Sequence, residues 1–226
     1  MEQYVPLLRN TILFQEIEPS KIISLLNCLA AYTKQFSKNE FIYLAGETVS
    51  AVGLILTGTI LISKEDFWGN RYIISEASPG SLFAETYACL PNEPLAINVQ
   101  ATTTCKILFL DVHKIITVCS ATCSFHSQLI NNLLTEIAKK NFQLTRKMDH
   151  ISQKTTRSKL LSYLSSISQK SNSASFQIPY NRQQLADYLS VDRSAMCNEL
   201  SKLQREGILD FNKNSFTLHN DSFGSC

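Results

Sequence analysis

The residues best suited to chemistry lie near the C-terminal end, where residues 181–218 read NRQQLADYLSVDRSAMCNELSKLQREGILDFNKNSFTL. Arg193, Ser194, Cys197, Asn198 and Ser201 recur there at the spacing of one helical face. An arginine fork with short hydroxyl, amide and thiol groups can hydrogen-bond a patterned polar surface, but it contains no nucleophile beside a base. Such a set recognises; it does not transform. A second set is Cys119, Cys123 and His126, three soft ligands within eight residues that suit a metal or a thiol switch. No fourth ligand is apparent, and free cysteines commonly serve as small apolar fillers, so no metal is expected there. A redox- or metal-responsive role through these three residues stays as the alternative.

The elements around the first set are strongly signalled. Asn181 is an N-cap with Gln184 as its capping-box partner, and Leu185, Ala186 and Leu189 form one apolar face. Ser190-Val191-Asp192 makes a tight turn, with Asp192 placed to cap the next helix. That helix buries Met196, Leu200 and Leu203 at 4- and 3-residue spacing and ends at Gly207. Two strands, residues 208–212 and 216–219, follow around the Lys213-Asn214 turn. The pattern predicts a winged helix-turn-helix, whose second helix fits a major groove roughly 12 Å wide. A helical hairpin docked elsewhere is the competing reading, and it leaves the polar face of the second helix without a purpose.

Upstream, Ile130, Leu134, Ile137, Asn141, Leu144, Met148 and Ile151 follow a 4, 3, 4, 3, 4, 3 spacing. That is an a/d series with one polar member, which predicts a parallel two-stranded seam registered by Asn141. An amphipathic helix laid on its own domain is the alternative. Lys139, Lys140, Arg146 and Lys147 fall off the stripe. From Phe36 to Asp111 short apolar runs alternate with turn signals, among them Ser78-Pro79-Gly80 and the hairpin tip DFWGNR, which indicates a jelly-roll sandwich.

The expected fold is therefore α+β. Residues 1–123 form a jelly-roll β-sandwich sensor domain, 124–153 a long dimerisation helix, and 154–226 the winged helix-turn-helix. The chain has 226 residues, 44% of them hydrophobic and 18% charged, which suits more than one globular core. Its N-terminus lacks an export-signal pattern, and no apolar run approaches the length of a membrane span. With seven cysteines, reduced thiols and a cytoplasmic location are expected, with no membrane partner. Net charge is +2: residues 1–153 sum to −1, and residues 154–226, with nine Lys/Arg and six Asp/Glu, to +3. Residues 36–111 contain no histidine, which argues against a cupin-like metal enzyme, and no catalytic residue is assigned.

These residues closely resemble the Crp/Fnr family of transcription regulators over nearly the whole length. The sensor landmarks are Gly46-Glu47, residues 54–58 (LILTG), residues 79–83 (PGSLF) and Glu85; residues 181–209 resemble the family's DNA-binding signature. The resemblance implies a homodimer on a pseudo-palindromic double-stranded DNA site, with RNA polymerase as a partner. It places Arg193, Ser194, Cys197 and Asn198 at base edges. Arg182, Gln183, Lys202 and Lys213 fall at phosphates, where a merely solvated side chain is an equal reading. Cyclic-nucleotide members hold the phosphate with an Arg-Ser pair, but here the aligned residues are Leu95-Ala96, so another effector is expected. Only Cys28 stands where oxygen-sensing relatives cluster cysteines. No cofactor is predicted. The resemblance puts an unidentified small effector near Phe83, Glu85, Tyr87, Leu95, Ile97 and Asn98, with Leu129, Ile130 and Leu133 from the helix; the same residues fit a plain core, and binding of DNA without an effector is the other course.

Overall fold

The computed structural model describes residues 1–90, 92–117 and 124–219. The chain divides into two compact units, Met1–Lys139 and Lys140–Cys226, and the division falls inside one long helix.

The first unit begins with α1 (Val5–Leu8) and α2 (Pro19–Cys28) and continues into strands. These are β1 (Tyr32–Phe36), β2 (Phe41–Tyr43), β3 (Ala51–Thr57), β4 (Ile60–Glu65), β5 (Arg71–Ala77) and β6 (Leu82–Phe83). The short α3 (Glu85–Ala88) precedes β7 (Asn98–Ala101), β8 (Cys105–Asp111) and α4 (Val112–Ile116). The strands form two antiparallel four-stranded sheets, in the orders β1-β8-β3-β6 and β2-β7-β4-β5. Strand alternation explains the layering. In the first sheet Ile55, Ile107 and Phe109 point into the sandwich, onto Ile60 and Val99 of the second. Their neighbours Val52, Leu54, Leu108 and Leu110 point the other way, onto α2 and Leu129 and Leu133. Because both faces are covered, β3 is buried at its first six positions, and its sequence reads as an unbroken apolar run. β5 edges the second sheet and is largely exposed. The sandwich expected between residues 36 and 111 is present, and it starts earlier, at Tyr32.

One close approach fixes the interior. A Cβ on Gly53 would lie 2.2 Å from the Phe83 ring, so only glycine lets that ring lie flat on β3. Phe83 meets Tyr43 edge-on at 6.1 Å, and Tyr43 meets Phe109 at 5.9 Å.

The long helix is α5 (Ser124–Ile151). Asn132 pins it to the first unit: its Nδ2 donates to the carbonyls of Leu13 (3.0 Å) and Gln15 (2.7 Å). The second unit continues with α6 (Thr156–Ser171), β9 (Ser175–Gln177), α7 (Arg182–Leu189), α8 (Arg193–Arg205), β10 (Leu209–Asn212) and β11 (Ser215–Leu218). Its strands pair antiparallel in the order β10-β11-β9. Leu160, Leu164, Leu185, Met196, Leu203 and Phe216 make its core. Each such side chain contributes about 1.5–3 kcal/mol by leaving water. Among the described residues no helix is long and apolar enough to cross a membrane.

Candidate nucleic-acid interface

The helix pair is built by its caps. Asn181 Oδ1 accepts from the Gln184 N–H at 2.9 Å, and Gln184 Oε1 accepts from the Asn181 N–H at 2.9 Å. Between them they satisfy two donors that the first turn of α7 leaves open. Ser190 takes a left-handed conformation (φ 52°) to end α7, and Asp192 Oδ1 caps α8 through the Ala195 N–H at 2.8 Å. Lys159 of α6 donates to the carbonyls of Leu189 and Ser190, both at 3.4 Å, so a cation sits on the negative end of α7.

With Met196, Leu200 and Leu203 buried, α8 turns Arg193, Ser194, Asn198, Ser201 and Lys202 outward. Cys197 is half-buried. The face runs about 20 Å along a 13-residue helix, as a groove-reading helix requires. Glu199, on the flank, accepts from Arg157 at 3.4 Å and lies 3.7 Å from Lys202. Nothing in the spacing announces the Arg157 contact, since a lone arginine at a helix start has many available partners.

The wing pairs Phe211 with Phe216 across β10 and β11, and Lys213 occupies its turn at φ 51°. Asn214 ties that turn down: its Nδ2 donates to the Ile178 carbonyl at 3.1 Å, and its own carbonyl accepts from the Ile178 N–H at 2.9 Å. Of the four residues expected at phosphates, Lys202 and Lys213 are exposed. Gln183 is exposed but donates to Asp187 at 2.8 Å. Arg182 differs: it is half-buried, with its guanidinium 4.8 Å from the Phe211 ring centroid and 5.2 Å from that of Phe216. Burial pushes its pKa down, partly offset by Cys197.

The expected effector residues divide between two clusters. Phe83 and Leu95 belong to the sandwich interior, with Tyr87 and Ile97 packed on it. Leu129, Ile130 and Leu133 lie in the cluster on the opposite face of the β1-β8-β3-β6 sheet. The reason is the two-residue period of the strands, which separates the helix side from the sandwich side. Glu85 is buried at the start of α3, after Ala84 at φ 61°. Asn98 Oδ1 accepts from the Ala45 N–H at 2.8 Å. The Leu95 N–H donates to the Glu47 carbonyl at 2.8 Å, and the Ala96 N–H donates to the Tyr87 hydroxyl at 3.3 Å.

Along α5, Leu134, Asn141, Leu144 and Met148 are exposed, while Ile130, Ile137 and Ile151 are half-buried. Ile130 and Ile137 pack against the first unit's own core. His126 is buried, its Nε2 2.7 Å from the Ile115 carbonyl. Cys119 and Cys123 lie outside the described residues. Among the described residues no group of three or more His, Cys, Asp or Glu side chains is placed to hold a metal ion.

The capped helix pair and its wing, following a β-sandwich and a long helix, define a winged helix-turn-helix protein with an N-terminal roll. Residues 33–122 match the family model of the cyclic nucleotide-binding domain, and residues 158–221 that of the Crp-like helix-turn-helix domain. The fold is similar to that of the catabolite activator protein of Thermus thermophilus, with a TM-score of 0.56 at 18% identity over 92% of this chain and 94% of that one. It is likewise similar to CprK complexed with OCPA, with a TM-score of 0.57 at 18% identity over 88% and 90% of the two chains. A third likeness is to the c-di-GMP responsive global regulator CLP of Xanthomonas campestris, with a TM-score of 0.53 at 14% identity over 90% and 100%. No curated protein matches the chain. The chain belongs to the Crp/Fnr family of transcription regulators.

Proposed function

We propose that the chain is a cytoplasmic, homodimeric, sequence-specific DNA-binding regulator that responds to a small effector other than a cyclic nucleotide. The observation that carries this reading is the polar face of α8, with Arg193, Ser194 and Asn198 exposed on a helix capped at its start and buried along its opposite side. Arg193 donates to guanine O6 and N7, worth about 1–3 kcal/mol of discrimination; Ser194, Cys197 and Asn198 read neighbouring edges. Lys202, Lys213 and Gln183 take phosphates, which add affinity without sequence information. Residues 1–123 serve as the sensor, 124–153 as the dimerisation helix and 154–226 as the DNA-binding domain. Two copies pair along α5 with Asn141 setting the register, so that two α8 helices enter half-sites roughly 34–36 Å apart. RNA polymerase is the further partner, as in the family.

The effector assignment rests on the sensor's donors. A cyclic phosphate needs a cation or free backbone N–H groups. At the aligned positions Leu95 and Ala96 offer no cation, and both N–H groups are already engaged. The effector biases the α5–α6 junction, residues 148–156, and so re-aims α8.

Gel-shift titration of selected genomic fragments at two salt concentrations tests the reading. Affinity is expected to fall steeply as salt rises. Asn198→Ala relaxes base preference, whereas Lys202→Ala weakens every sequence alike. Absence of any shift overturns the function; micromolar binding of cyclic AMP or cyclic GMP in calorimetry overturns the effector assignment.

A further inference from the structure

Arg182 is the first residue of α7, at the edge of the interface, yet its guanidinium is spent on the wing. The two rings it covers are cross-strand partners, Phe211 on β10 and Phe216 on β11, with centroids 6.1 Å apart. Phe216 in turn stacks on Phe176 of β9 at 6.3 Å and 17°. One arginine therefore closes an aromatic ladder that runs through all three strands of the sheet. Both ring distances fall inside the roughly 6 Å range of cation–π attraction, and the planar guanidinium is better shaped for two rings than an ammonium is. Lys213 follows Phe211 by two residues and lines the same cleft as Arg182. Asn214 fixes one side of this turn through Ile178; Arg182 fixes the strands behind it.

We propose that Arg182 is a positioning residue of the DNA interface, which holds the wing against α7 so that Lys213 reaches a phosphate, and that Arg182 makes no phosphate contact itself. This rests on the DNA-binding reading above. The half-burial of the side chain and its lowered basicity, caused first by desolvation, agree with a guanidinium committed to aromatic faces.

The test is a salt series of DNA-binding constants for the full chain and its variants, each checked for folding by thermal unfolding. Each phosphate contact contributes about 0.9 to the slope of log affinity against log salt. Lys213→Ala is expected to flatten the slope by that amount. Phe211→Leu, which removes no charge, is expected to flatten it equally, as is Arg182→Met. Arg182→Met combined with Lys213→Ala gives no further loss. Arg182→Lys, which keeps the charge but replaces the planar fork with an ammonium, behaves like Arg182→Met. The inference is overturned if Arg182→Lys keeps the parental slope, if Lys213→Ala or Phe211→Leu leaves the slope unaltered, or if the Arg182 and Lys213 losses add to about 1.8. A parent protein that binds no DNA sinks the regulator reading as a whole, and is thereby distinct from failure of this one residue's role.

Discussion

Arg157, near the start of α6, holds Glu206, just past the end of α8, through paired hydrogen bonds of 3.1 and 2.5 Å. The same guanidinium reaches Glu199 in mid-helix at 3.4 Å. One side chain thus grips α8 at two points about two turns apart, and it does so from the helix that follows the α5–α6 junction. α6 is thereby tied to the helix that bears Arg193 and Asn198.

This contact gives the first prediction. Hydrogen bonding to Arg157 holds the Glu206 carboxyl below the usual carboxylate range. A depressed folded pKa means stability that is present above the unfolded value of 4.5 and lost as pH falls through the folded value. Because the pair faces solvent, the stability term is small. Arg157→Met and Glu206→Gln are expected to lower DNA affinity in the same direction, and the double variant to lose no more than the worse single one. Binding titrations across this double-mutant cycle check it; additive losses would separate the two residues.

A second prediction concerns His150, near the C-terminal end of α5. Its Nδ1 lies 2.9 Å from Ser162 Oγ and its ring meets Tyr163 edge-on at 5.6 Å. Burial pushes its pKa below 6.5, with Asp149 opposing and Arg146 adding to the shift; Lys147 lies nearby, over Tyr188. With the folded pKa the lower one, the unfolded chain binds the proton more readily in the window just below pH 6.5, so stability rises with pH there and is fully present above it. Thermal unfolding over that window should show a slope for the parent that His150→Asn flattens. Identical pH profiles for the two proteins would refute the assignment.

The third prediction lies in the first unit. Asn132 gives both amide protons to main-chain carbonyls, while its Oδ1 accepts from Gln128 Nε2 at 3.1 Å. Asn132→Ala leaves the Leu13 and Gln15 carbonyls without that donor, at a cost of about 1–3 kcal/mol. For a chain of this length each kcal/mol lowers Tm by about 2–4 °C. Calorimetry of the variant checks the figure, and an unchanged Tm would show that other donors replace the amide.

What the sequence disclosed followed from range. Asn181 with Gln184, and Asp192 with Ala195, act over three residues, so the helix pair was readable from spacing alone. The sandwich was readable from its turns. Arg182 was not, because its partners lie about thirty residues downstream and nothing local separates a stacked arginine from a solvated one. The faces of the residues expected near an effector were hidden for a related reason. A run such as AVGLILT is apolar at almost every position, so it does not show which side chains face the sandwich and which face the helix. The a/d series on α5 was ambiguous at Ile130 and Ile137, where the same spacing serves packing on the chain's own first unit.

The remaining members of that series yield the last prediction. Leu134, Leu144 and Met148 are 59%, 63% and 64% exposed in the single chain, an unusual state for three large apolar side chains in register on one helix. Under the pairing proposed above, each of them leaves water twice, once per protomer. Leu144→Ala therefore costs the dimer up to about 3 kcal/mol, from about 1.5 kcal/mol per buried side chain, which raises the dimer Kd by up to about a hundredfold. Asn141→Leu acts in the opposite direction: it removes the polar pair that fixes alignment, so association tightens while a single oligomeric state gives way to several. Sedimentation over a concentration series reads both effects. A parent chain that stays monomeric at every concentration, or a Leu144→Ala variant that dimerises as well as the parent, would place the interface elsewhere.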